Sequence, residues 1–205
     1  MYVNDNKEGR RSQADRRAAT RRALLDAARG LFAERGYHGT ATEEIVRRAG
    51  VTRGAMYHHF EDKRGLFRAV VEEIEAEIDE LVLVAARAAM EESGDPLEAW
   101  MAGFYASLDF YSRPDVRRIQ LVDSSAVLSW EEWHEIDAAH AIAQIEEGLE
   151  LLMDNGVIER QPVGPLAYLL HGATTQGAMY VAFAEEPEKA RDEVGKALRR
   201  LLEGL

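Results

Sequence analysis

The chain has 205 residues, 46% of them hydrophobic, enough for one large domain or two small ones with a substantial core. It contains no cysteine, which excludes a disulfide framework and thiolate chemistry and fits a reducing compartment. The formal charge of −12 argues against a polyanionic partner until its distribution is read: residues 1–68 carry 15 Lys and Arg against 9 Asp and Glu, and residues 69–205 carry 10 against 28. Such a split suits one segment that meets a polyanion and another that stays off it. Uneven charge among solvated helices produces the same split, so charge alone leaves both readings open. No run approaches the roughly 18 consecutive apolar residues of a membrane span. The polar N-terminus lacks the apolar stretch of a secretory signal, so a cytoplasmic chain without membrane contact is expected.

Apolar residues recur at three- and four-residue spacing nearly throughout, and alternating β-branched runs are absent, which predicts an all-α protein of about nine helices. Residues 1–17 hold almost nothing apolar and read as a disordered basic arm. Leu24, Leu25, Ala28, Leu31 and Phe32 then form one stripe, ending before Gly36 as a C-terminal cap. Thr42 reads as an N-cap, with Glu43 and Glu44 favourably placed in the first turn. That short helix turns Ile45, Val46 and Ala49 inward and stops at Gly50. Thr52 caps the next, which closes at Phe60. After the polar turn Glu61-Asp62-Lys63, a long helix carries Leu66, Phe67, Val70, Val71, Ile74, Ile78, Leu81 and Val82 at helical spacing. Further helices are read over 96–111, 114–121, 130–155, Pro165–Ala184 and Pro187–Leu202, separated by Gly94-Asp95-Pro96, Arg113-Pro114 and Asn155-Gly156.

Residues 41–60 have the form of a helix-turn-helix: two short helices joined by a glycine turn. The geometry needs a small residue where the helices cross (Ala49), a residue tolerant of unusual backbone angles (Gly50) and an apolar residue after it (Val51). The small residues Gly54 and Ala55 let the start of the second helix approach the floor of a major groove.

The runs AARGLFAERGYHGTATEEI and AGVTRGAMYHHFEDKRGLF, at their spacing, make residues 20–71 resemble the N-terminal domain of the TetR family of transcriptional regulators. The resemblance implies a three-helix DNA-binding domain over residues 18–78 and a helical ligand-binding and dimerisation domain over 79–205. It also implies a ligand-responsive homodimeric repressor, associated with the nucleoid, that leaves its double-stranded operator when a small molecule binds. Arg53 is then the candidate for base readout, because a guanidinium pairs in bidentate fashion with guanine. Gly54 and Ala55 match groove-facing positions. Thr42, Thr52, Tyr57, His58 and Lys63 match positions that contact the phosphate backbone. His59 reads as packing or solvated. The arginines Arg10, Arg11, Arg16, Arg17, Arg21 and Arg22 read as a solvated tail adding salt-dependent affinity, with an arm that follows the backbone or enters the minor groove as the alternative.

The dimer implied by the resemblance pairs Pro165–Ala184 and Pro187–Leu202 of each copy. The small residues Gly172, Ala173, Gly177 and Ala178 permit close helix approach, although a helix buried within one copy would look the same. Candidate ligand-binding residues are Trp100, Phe104, Tyr105, Trp130 and Trp133, with Asp123, His134, His171 and Gln176 as polar groups; Tyr111, Met153 and His140 are weaker candidates. His134 and His140 stand six apart and point in different directions, so no metal is expected. No cofactor is expected either. An enzyme is the main rival class, but the sequence offers no nucleophile–base pair, phosphate-cradling glycine loop or His-Glu-x-x-His. A dimerisation scaffold with a vestigial helix-turn-helix is the other.

Overall fold

Every regular element among the described residues is helical. The computed structural model describes residues 13–205, the side chains of residues 137–139 excepted. The chain divides into two compact units between Val70 and Val71, eight residues before the boundary read from the sequence. The apolar periodicity of the long helix runs unbroken through this point, so the pattern does not mark where burial partners change.

The first unit holds α1 (Gln13–Arg35), α2 (Thr42–Ala49), α3 (Arg53–Phe60) and the start of α4 (Lys63–Ser93). Residues 13–17 of the expected arm thus belong to α1, and the rest of it lies outside the described residues. Arg16 and Arg17 lie on α1 with Arg21 and Arg22, while Arg10 and Arg11 lie outside the described residues. Residues 14–19 are Ala, Arg and Asp, mostly strong helix formers, and the packed part of α1 propagates through them. Leu24, Leu25, Ala28, Leu31 and Phe32 are its buried face. Gly36, at φ 73°, ends it.

At the end of α2 the Gly50 amide donates to the Arg47 carbonyl at 3.3 Å and the Val51 amide to the Val46 carbonyl at 3.0 Å. This is a Schellman motif, and Gly50 occupies its left-handed position at φ 67°. The turn from α3 into α4 is tighter. Glu61 has φ 60° and ψ −55°, and the Asp62 amide donates to the Phe60 carbonyl at 2.5 Å, a γ-turn of the strained, positive-φ kind. Gly65 sits beneath it because a Cβ there would stand 2.3 Å from the Phe60 oxygen.

One ammonium ties these turns together. Lys63 donates to the main-chain oxygens of Tyr37 and Thr40, both at 3.0 Å, and its Nζ stands 4.0 Å from the centre of the Tyr37 ring. That ring in turn packs edge-on to Phe67, at 5.1 Å, and lies 5.8 Å from Phe32. Thr40 is buried, its hydroxyl 2.8 Å from the Gly36 carbonyl. The α1–α2 loop is thus held to the first turn of α4 through main-chain carbonyls.

The second unit contains the rest of α4, then α5 (Pro96–Tyr111), α6 (Pro114–Val116), α7 (Ser124–Val127), α8 (Trp130–Asp137), α9 (Ala143–Asp154), α10 (Val163–Ala182) and α11 (Pro187–Glu203). Two π-helical stretches join α6 to α7 (Arg117–Asp123) and α8 to α9 (Ala138–Ile142). Met101 and Leu108 of α5, Leu149 and Leu152 of α9 and Leu202 of α11 lie in one core, fully buried or nearly so. Arg117 donates to the Ala182 carbonyl at 2.7 Å, a cation at the C-terminal end of α10. α5 and α11 are also joined at Gly195, where a Cβ would lie 1.9 Å from the Tyr105 hydroxyl.

Two substitutions test these joints. Lys63→Met keeps the stem and removes the donors, so the first unit is expected to lose roughly 2 kcal/mol, measured as lost hydrogen-exchange protection in α2 and α3. Gly195→Ala is expected to destabilise the second unit by about 2–3 kcal/mol through overpacking. Adding Tyr105→Leu should recover much of that loss in thermal melts; a purely additive double mutant would place the Tyr105 ring elsewhere.

Candidate nucleic-acid interface and ligand cavity

The N-cap of α2 is Ala41, and Thr42 is the first helical residue. This corrects the sequence reading, which favoured the hydroxyl-bearing residue. The Ala41 backbone is extended and its carbonyl accepts from Glu44 and Ile45 at 3.1 and 3.3 Å, which is what defines the cap. Alanine has no side-chain acceptor, so only the reverse half of a capping box forms: the Glu44 carboxylate accepts the Ala41 amide at 3.4 Å. The same carboxylate takes the Arg35 guanidinium at 2.6 Å. That hydrogen bond, more than any other contact, holds the Glu44 carboxyl below its usual range. Thr52 does cap its helix, its hydroxyl oxygen accepting the Ala55 amide at 3.2 Å.

On α3, Arg53, Gly54, Tyr57 and His58 are exposed, Ala55 is half-buried, and Met56 and Phe60 face the core. Arg53 is the first residue of the helix. It ion-pairs with Glu43 of α2 at 2.8 Å and donates to the Tyr57 hydroxyl at 3.1 Å, one turn along. The Tyr57 hydrogen bond, followed by the Glu43 charge, pushes the Arg53 pKa further up. Among the described residues a Cβ on Gly54 would meet only the Thr52 hydroxyl oxygen, at 3.9 Å, so none of them requires a glycine here. His59 is half-buried. Burial, with the charges of His58, Arg17 and Arg21 behind it, holds its pKa down.

Lys63, expected from the resemblance to contact phosphate, is half-buried. Two of its three N–H donors are committed to the Tyr37 and Thr40 carbonyls, and burial lowers its pKa. The sequence pattern shows the charge but not the carbonyls that a loop 23 residues away brings to it.

In the second unit a cavity of 380 Å³ opens between α4, α5, α9 and α10. Of the candidate ligand residues, Trp100, Phe104 and His171 line it, as does Tyr111. The others do not. Tyr105 turns to α11, under the Arg191 guanidinium at 4.4 Å. Asp123 is buried at the end of a π-helical stretch, 3.5 Å from Arg118. Trp130 is 69% exposed and stacks on His134 at 4.8 Å. The His134 ring lies 5.8 Å from Tyr168, and Trp133 lies 6.2 Å from His171. Gln176 is exposed on α10 beside Met179. Met153 is buried in the bundle core, and His140 bonds Asp79 at 2.5 Å. A helical period shows that a residue faces inward but not whether it meets a neighbour or a void.

Sequence reasoning missed the α4 wall: Glu75 and Asp79, with Gln144 of α9, line the cavity. Each carboxylate directly follows a buried isoleucine, Ile74 or Ile78, so each stands at the edge of the apolar stripe. That placement is the signal that could have found them. Glycine makes room for the rings here: a Cβ on Gly148 would stand 2.8 Å from the Trp100 indole.

The chain matches two family models, that of the bacterial regulatory proteins, tetR family, over residues 24–70, and that of the tetracyclin repressor-like C-terminal domain over residues 97–205. It is 36% identical over 110 residues to the HTH-type transcriptional repressor BepR of Brucella suis, 54% of this chain and 51% of that one. To the HTH-type transcriptional regulator AcrR of Shigella flexneri it is 48% identical over 64 residues, 31% of this chain and 30% of that one. The matches thus span about half of the first relative's length and under a third of the second's. A crystal structure of a TetR-family transcriptional regulator from Pectobacterium atrosepticum superposes with a TM-score of 0.76 at 33% identity, covering 95% of this chain and 97% of that one. The helix-turn-helix, the helical second unit and these matches make the chain a member of the TetR family of DNA-binding regulators.

Proposed function

We propose that the protein is a ligand-responsive homodimeric repressor that binds operator DNA through α2 and α3 and leaves it when a small molecule fills the cavity of the second unit. The observation that carries the reading is the outer face of α3. There a charged, exposed Arg53 stands beside Gly54, which no contact among the described residues requires to be glycine. A bare backbone at that point suits close approach to base edges. Arg53 is the base reader, and binding exchanges its Glu43 and Tyr57 partners for a guanine edge and a phosphate. Thr42, Thr52, Tyr57 and His58 position the helix on the phosphates, the open amides at the start of α2 assisting. Ala55 meets the groove beside Gly54. Lys63 holds the two helices in place and offers its third donor to the backbone. Such a regulator acts in the cytoplasm, on the nucleoid, and catalyses nothing.

The dimer forms through α10 and α11. Tyr168, Leu169, Gly172, Ala173 and Tyr180 of α10 and Leu201 of α11 are exposed and largely apolar. Gly177 and Ala178 serve a different purpose from Gly172 and Ala173, since Gly177 packs against Val194 of the same chain and Ala178 is buried. Release follows when the occupied cavity tilts α4 and changes the spacing of the paired recognition helices, which must match one turn of DNA, about 34 Å.

The test uses an operator selected by the protein itself from random duplexes. Arg53→Ala is expected to lower operator affinity by roughly tenfold or more, at about 1–3 kcal/mol per bidentate pair, with a smaller loss on bulk DNA. Equal losses on both would take Arg53 out of base reading. Gly54→Ala should raise the stability of α3 by about 0.5–1 kcal/mol while weakening operator binding; unchanged binding would show that the groove floor is not approached there. Glu43→Gln frees Arg53 and removes a carboxylate near the phosphates, so affinity for bulk DNA should rise by up to about fivefold, read from salt titrations of fluorescence anisotropy.

A further inference from the structure

We infer that the cavity of the second unit selects an organic cation with an aromatic body; as an effector site, this rests on the proposed function. Among the described residues three carboxylates line it, Glu75 and Asp79 one turn apart on α4 and Glu147 on α9, and no lysine or arginine does.

The α4 carboxylates are held in place. Gln120 donates its amide N–H to the Glu75 carboxylate, which is only 7% exposed. The His140 Nδ1 meets the Asp79 carboxylate at 2.5 Å, and Gln144 donates to the Asp79 main-chain oxygen at 3.2 Å. Gln120 and His140 come from the two π-helical stretches, one from each. Insertions of this kind re-aim side chains and recur at functional sites. Here both deliver a partner to neighbouring acids on one helix face.

Carboxylates in a half-enclosed, mainly apolar chamber are costly to desolvate, and a cation of matching position offsets that cost. An anion adds to the repulsion, and a neutral apolar molecule gains burial alone. The α5 wall supplies the second half of the recognition. Trp100 and Phe104 stack with centroids 6.2 Å apart and planes inclined by 21°, offering aromatic surface to a flat ring or to the cation itself. A volume of 380 Å³ accommodates a drug-sized molecule.

The test is calorimetric titration of the full-length protein with three probes of one aromatic body: naphthylmethyl-trimethylammonium, naphthylmethanol and naphthylacetate. The ammonium is expected to bind at least about tenfold more tightly than the other two. Asp79→Asn and Glu147→Gln should each erase several-fold of that preference and leave the alcohol's affinity unchanged. Glu147 is exposed, so its variant reports even if Asp79→Asn disturbs the His140 contact. Equal affinities, a preference for the carboxylate, no binding of any probe, or a preference untouched in Glu147→Gln and a folded Asp79→Asn overturns the inference. Operator release is scored separately. Selective ammonium binding with the DNA complex intact keeps the ligand class and removes the effector role. Release by naphthylacetate alone keeps the effector role and removes the ligand class.

Discussion

The DNA-binding unit depends on one half-buried ammonium. Lys63 opens α4 and reaches back to the carbonyls of Tyr37 and Thr40, in the loop between α1 and α2. A cation shared between two main-chain oxygens fixes that loop more firmly than packing alone, because an unsatisfied carbonyl in a partly dry site is expensive. The aromatic cluster of Phe32, Tyr37 and Phe67 closes over the same point, with Tyr37 presenting its ring to Lys63. From this joint α2 leaves in one direction and α3 returns through the γ-turn at Glu61, so the orientation of the recognition helix is set by contacts behind it. Among the described residues the exposed face of α3 carries the Arg53–Tyr57–Glu43 cluster.

That cluster gives the free protein a chemistry of its own. Arg53 is extended across the start of α3 and tethered to an acid of α2. The pair is exposed, so it is weak and screened by salt. An arginine held this way is partly pre-organised for the base-reading role proposed for it, in which a guanine edge would replace a carboxylate whose own hydration is readily restored. In that proposed role the neighbouring acid would also lower the affinity for phosphates in general, which favours discrimination between sequences over raw binding.

The second unit follows a different logic. Its helices share an apolar core, yet its cavity keeps carboxylates on α4 pinned by residues from both π-helical stretches. A bundle optimised only for stability would fill this space and remove those acids. Glycines at 103 and 148 work in the same direction, admitting Val82 and Trp100 side chains where a methyl group would collide. The unit is shaped around an opening as much as around its core.

Residue pattern alone determined the all-α class, the helix-turn-helix and the exposed face of α3, because these follow from local periodicity, turn glycines and charge. Gly50 in a left-handed cap and Thr52 as the cap of α3 are local as well. What only the tertiary structure decided depends on residues far apart in sequence. Ala41 rather than Thr42 caps α2, since backbone geometry and not side-chain type defines a cap. Lys63 is committed to carbonyls 23 and 26 residues away. Tyr105 faces Gly195, and Trp130 stacks on His134 in solvent, while Glu75 and Asp79 reach the cavity. A helical period tells which side of a helix turns inward; whether that side meets another side chain, a carbonyl or an empty chamber is settled only by the helices that arrive from elsewhere in the chain.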